Sequence, residues 1–243
     1  VASGIELTES GQRLYDYANT VLSEYDKLKK EIDMIRASEE GTVELLVAYD
    51  ILRYLTPDCI LEFQKKYPNV TFSYMEYPDR IVEKMLLDKE GNVALSIGPF
   101  AGDCFDMKSL KKCSLGLLVY EGHSLAKKRE ATILDLEGEP LYLENSSFKL
   151  NEFIQSRCWN RGFEPDIVFE TNGFDLCYKM CRLKRGISVT IDFVHEDMNT
   201  EGLVMIPFAE DDMIWEIGLL TLKDRAMESS VEKFYKYIEK YNS

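Results

Sequence analysis

No apolar run in these 243 residues approaches membrane-spanning length. The most apolar stretch, LGLLVY at 115–120, is long enough for one buried strand. The N-terminus lacks the charged-then-apolar pattern of a secretory signal, so a cytoplasmic location is expected. Catalytic signatures are just as scarce. There is no GxSxG elbow, no HExxH, no GxxxxGK[ST] and no GxGxxG. The only two histidines, His123 and His195, lie far apart in sequence and in no recognisable constellation. The six cysteines form no CxxC pair and no metal-ligand spacing, so neither a metal nor another cofactor is expected, and the thiols read as free. Positive charge is in deficit: 29 Lys and Arg face 43 Asp and Glu, for a net charge of −14. Such a chain repels phosphate backbones, which argues against nucleic-acid binding by these residues themselves. No catalytic activity is expected.

What the chain does have is a long polar helix followed by alternating strands and helices. Thr8 is placed to cap the helix, and Glu9 suits the positive end of its dipole. Leu14, Ala18, Val21, Tyr25, Leu28, Ile32 and Ile35 recur at steps of 4 and 3, a heptad seam flanked by charged residues. A helix from 8 to about 37 would be roughly 45 Å long at 1.5 Å per residue. That exceeds a domain face of this size, and the apolar stripe is narrow, so the spacing predicts a coiled-coil partner.

Beyond Gly41, strands are predicted at 42–49, 69–77 and 92–98, with helices at 51–68 and about 79–89 between them. A crossing follows at 99–104. A second set has strands at 114–120, 140–145, 166–170 and 186–192, with helices at 149–162 and 174–185. The segment 202–208 reads as a return crossing, before a strand at 213–223 and a final helix at 227–241. This pattern predicts an α/β fold with a mainly parallel sheet, as two lobes joined by two crossings. Residues 1–40 carry the helix; lobe 1 spans about 41–98 and 208–243, and lobe 2 about 99–207. A cleft between lobes gathers strand ends and helix starts. Asp50, Asp79, NSSFK at 145–149, and TNGFD at 171–175 with Asn172 as N-cap all fall at that rim. Helix capping alone would explain each one; their convergence is what suggests a ligand.

The segment LTESGQRLYDYANTVL resembles the linker-helix signature of LysR-type transcriptional regulators, and GIEL at 4–7 resembles the end of that family's DNA-binding wing. Further similarities are YLTPDCILEFQKKYPNVTFSY at 54–74, GHSLAKKREATILDLEGEPLYL at 122–143, RGISVTID at 185–192 and GLVMIPF at 202–208. The resemblance implies a type 2 periplasmic-binding-protein-like fold and a small-molecule effector held between the lobes. It also implies self-association as a homodimer or homotetramer, and DNA contact only through a head preceding residue 1. A second contact between copies is implied, helix 51–67 and strand 70–76 of one against the second lobe of another. The family's pockets correspond to Tyr49, Asp50, Ile51, Asp79, Gly98, Pro99, Phe100, Asn145, Ser146, Ser147, Phe148 and Thr190. Ser124 and Ile191 stand where the family commonly has Pro. Lys149 stands where peroxide-sensing relatives carry a reactive cysteine, which leaves nearby Cys158 without a partner for such a switch. The sequence admits a solute-binding protein of a transporter or an enzyme on the same fold as alternatives. Carboxylates at 50 and 79 would favour a cation, whereas helix-start N–H groups with Ser146 and Ser147 would favour an anion.

Overall fold

The computed structural model describes residues 7–38, 41–100 and 103–241, with the backbone alone for 33–38. Residues 4–6 of the wing-like segment, the side chain of Ile35, and residues 101–102 of the crossing lie outside this description.

Helix α1 runs from Glu9 to Ser38. Thr8 Oγ1 accepts a hydrogen bond from Gly11 N at 3.1 Å, the cap expected from sequence. Leu14, Ala18, Val21, Tyr25, Leu28 and Ile32 are all exposed, Leu14 by 72%.

The first lobe is built from β1 (Gly41–Ala48), α2 (Ile51–Lys66), β2 (Val70–Tyr77), α3 (Asp79–Leu87) and β3 (Val93–Gly98). Strand β1 pairs in parallel with both β2 and β3. It reads as a nearly continuous apolar run because both its faces are covered. Helix α2 bends at Thr56, which sits at φ 57°, ψ 145°. The next residue is Pro57, whose ring disfavours helical dihedrals at the residue before it and which has no N–H to donate. Helix α7 (Ser229–Tyr241) returns to close this lobe, where Phe234 meets Phe63 edge-on at 5.0 Å.

Strand β4 (Phe105–Tyr120) is sixteen residues long and belongs to both lobes. Its first part pairs antiparallel with β9 (Ile214–Leu222), and its second part with β7 (Ile187–Ile191) and β8 (Leu203–Pro207). The second lobe adds β5 (Leu141–Glu144), α4 (Lys149–Asn160), β6 (Ile167–Thr171), α5 (Phe174–Arg182) and α6 (Asp192–Asp197). The path through the strands is β2-β1-β3-β9-β4-β7-β5-β6, with β8 beside β4.

Three sequence expectations need correction. The sheet is mixed, because β4 and β9 run antiparallel to their neighbours where the lobes meet. The strand expected at 114–120 begins at Phe105; most of the residues before Cys113 are exposed, with lysines at 108, 111 and 112, so they break the apolar pattern. The segment 202–208 is no crossing but mostly β8, which pairs with residues 116–120. Chain return to the first lobe follows it. Five cysteines are buried, Cys104 is exposed, and all six are free.

Candidate functional site

The seam between the lobes is polar, and its partners come from both sides. Tyr49 follows β1, held by its N–H on Tyr77 O at 3.0 Å. Asp50 has φ 69°, a left-handed conformation that aspartate adopts more readily than most side chains. Its carboxylate does not cap α2 but accepts from Arg53 Nε at 2.5 Å. The same guanidinium donates to Asp197 at 2.6 Å and Asp175 at 2.9 Å, both on second-lobe helices. Arg53 thereby latches α2 to α5 and α6.

Asp79 makes the second latch. It opens α3, and its Oδ1 accepts from the backbone N–H of Arg80 at 2.6 Å and of Lys149 at 3.0 Å. Lys149 is the first residue of α4, so a first-lobe carboxylate satisfies an orphan N–H of a second-lobe helix. The Lys149 amine then reaches back. It donates to Glu83 Oε1 and to Ile97 O at 2.8 Å, and lies 4.7 Å from the centre of the Phe100 ring. Ser96 Oγ also donates to that glutamate oxygen at 3.1 Å. At the surface, Arg80 pairs with Glu152.

Behind these latches lies a closed cavity of about 20 Å³, room for about one water molecule. Three carboxylates line it, from Asp50, Asp79 and Glu144, together with Tyr49, Phe148, Phe174, Phe193 and Trp215. Glu144 ends β5 and is buried; its Oε1 has no hydrogen-bond partner among the described residues. Burial, reinforced by the charges of Asp50 and Asp79, raises its carboxyl well above the usual range. Burial also pushes Asp79 up to about 6, against the opposing charge of Lys149. Asp50 is raised for the same reason, with Arg53 pulling the other way. Trp215 Nε1 is buried and likewise unpartnered. The indole also borders a larger open groove of about 780 Å³, with Gly98, Pro99, Phe100, Phe153 and Arg157 on its walls.

The structure brings Tyr49, Asp50, Asp79 and Phe148 to the closed cavity, and Gly98, Pro99 and Phe100 to the groove beside it. The remaining expected residues line neither. Ile51 packs in the core. Thr190 is buried with its hydroxyl bonded to Tyr178 O–H at 2.9 Å. Asn145 Oδ1 accepts from Ser147 N at 2.8 Å, and Ser146 is exposed. Asn172 is not the cap of α5, a position held by Gly173; its side chain takes a hydrogen bond from Asn145 at 2.5 Å. Sequence reasoning missed Glu144, Arg53, Glu83 and Trp215. Only Glu144, a lone acid ending the apolar run PLYL, carried a local signal.

Residues 36–242 match the family described as LysR substrate binding domain. The chain belongs to that family. A relative of this LysR-domain chain is the HTH-type transcriptional regulator YwbI of Bacillus subtilis. The two are 25% identical over 185 residues, covering 76% of this chain and 62% of the relative. The transcriptional dual regulator GltC of the same organism is 23% identical, over 98% of this chain and 80% of its own. Among solved structures, the BenM effector binding domain with its effector benzoate superposes with a TM-score of 0.70. That match has 18% identity and covers 84% of this chain and 92% of the other. The similarity establishes the fold. The chain spans about three fifths of YwbI's length. No helix among the described residues is long and apolar enough to cross a membrane.

Proposed function

We propose that these residues form the sensing part of a LysR-type transcriptional regulator, in which a small-molecule effector binds between the lobes. The observation that carries this is the seam itself. Arg53, Asp79 and Lys149 each bond across it, and the cavity behind them is lined by Glu144 and Trp215, whose side chains carry an unpartnered acceptor and an unpartnered donor. Buried polar groups left unsatisfied cost about 1–3 kcal/mol each, so their presence at one void supports a site that a ligand completes. An effector with different affinity for open and closed lobes would shift their equilibrium. The exposed seam of α1 supports the second half of the reading. It would pair with a second copy and pass the lobe movement to DNA-binding heads, the regulator itself performing no catalysis.

A thermal-shift screen of the chain against a metabolite library tests the sensing role, since a ligand specific for the folded state raises the melting temperature by mass action. A hit whose affinity falls in Asp50→Asn or Phe148→Ala supports the seam as its site. A hit indifferent to both contradicts it.

A further inference from the structure

We infer that the effector is an organic cation, an amine or guanidinium compound that also carries a hydrogen-bond acceptor, seated against Glu144, Asp79 and Asp50. The inference rests on the interlobe reading above and adds the ligand's charge.

Three acidic side chains from three separate elements meet at one small void. The neighbouring cations are already engaged, and Arg53 offsets much of the charge of Asp50 in this cluster. Arg53 is shared among three aspartates at the mouth of the seam, and the Lys149 amine is held by Glu83 and Ile97 O. Glu144 is left with a buried oxygen that no donor reaches among the described residues. An anion entering here would meet the ionised Asp79 at neutral pH and could not draw the Glu144 carboxyl into an ion pair, at a cost that rises as water is excluded. A cation would instead supply the missing donor.

Two features narrow the class. No three His, Cys, Asp or Glu side chains among the described residues cluster closely enough to hold a metal ion. The walls are aromatic, with the Tyr49 and Phe148 rings 6.2 Å apart and Trp215 alongside, a surface that attracts ammonium and guanidinium groups. The orphan indole N–H of Trp215 asks for an acceptor on the same ligand, such as a hydroxyl, carbonyl or carboxylate. At about 20 Å³ the closed cavity admits no such molecule, so the lobes must part along the latches to receive it.

In the empty domain the place of the cation is taken by a proton on Glu144, whose carboxyl burial raises well above the usual range, joined by one on Asp79 below about pH 6. Binding therefore releases protons to solvent. The charged groups around this cluster are Arg53 on α2, Arg80 and Glu83 on α3 and Lys149 on α4, with Arg80 turned to Glu152 at the surface and Glu76 on β2, Asp175 on α5 and Asp197 on α6 nearer the mouth.

The test is isothermal calorimetry of the chain with agmatine, 4-aminobutanol and L-arginine as cationic probes, and with benzoate and succinate as anionic ones. At about pH 8 at least one cation should bind, and Glu144→Gln should weaken it by about ten- to a hundred-fold, the range of a hydrogen bond to a charged group. The same affinity should fall at least about tenfold between pH 8 and pH 5, with proton release visible as a dependence of heat on buffer ionisation. A cation that binds Glu144→Gln as well as the parent overturns the inference. So does an anionic probe that binds the parent while all three cations fail. In that case, loss of anion binding in Trp215→Phe would leave the interlobe reading standing. Absence of binding by every cation up to about 10 mM, a free energy near −3 kcal/mol, also overturns it, and the library screen then judges the interlobe reading separately.

Discussion

Replacing Lys149 by methionine should be among the most damaging single changes in this protein. The lysine and glutamate side chains of the Lys149–Glu83 pair are each only 10% exposed, and they bridge α4 of one lobe to α3 of the other. Methionine keeps most of the aliphatic stem but removes the charge, leaving the Glu83 carboxylate buried with Ser96 Oγ as its remaining donor. It also strips Ile97 O of its amine partner. Breaking one side of a buried pair costs about 3–5 kcal/mol, and for a chain of this size each kcal/mol lowers the melting temperature by about 2–4 °C. Lys149→Met should therefore melt about 6–20 °C below the parent. Adding Glu83→Gln should recover much of that loss, since the uncompensated charge is gone. Urea denaturation of the two single variants and the double variant closes the cycle. A Lys149→Met cost under about 1 kcal/mol, or strictly additive single losses, would refute the idea that this pair staples the lobes.

Asp79 sets a pH trend of its own. Its folded carboxyl lies near 6, above an unfolded value of about 3.9. Its contribution is thus full below about pH 4 and lost as pH rises through 6, about 3 kcal/mol in all. Denaturation curves between about pH 4 and 7 should show that slope in the parent and lose it in Asp79→Asn. Gly186→Ala should cost about 1–3 kcal/mol in the same assay, because a Cβ there would stand 2.3 Å from Pro140 O. Leu14→Glu with Leu28→Glu should shift the light-scattering mass to that of a monomer without changing the melting of the α/β body; an unchanged mass would remove α1 as the assembly seam.

Much of the fold could be read because its signals are local. The apolar runs of β1, β3, β5 and β7 are buried, and their alternation with α2, α3, α4 and α5 follows from covering a sheet on both faces. The front half of β4 was hidden since Lys108, Lys111 and Lys112 break its apolar pattern while its backbone pairs with β9, over a hundred residues later. The site was half legible. Asp50 and Asp79 stand at helix starts, where capping is the ordinary reading, but Asp50 makes no cap bond and Asp79 serves a second helix besides its own. One turns to Arg53 and the other to the N–H of Lys149. Such pairings join distant parts of the chain, as do Lys149 with Glu83 and Arg53 with Asp197, so spacing carries no trace of them. Thr190 went the other way, since its register on β7 placed it rightly in the second lobe while Tyr178 drew its hydroxyl away from the cavity.

The central claim is that a small molecule binds between the lobes, and amide hydrogen exchange on the chain with and without a hit from the library screen tests it most directly. Ligand should slow exchange at the amides of Tyr49, Arg80, Phe148 and Lys149, whose hydrogen bonds border the cavity, by an amount that tracks occupancy. Protection confined to α1, α7 or the outer face of β6, with those seam amides unchanged at saturation, would contradict the account.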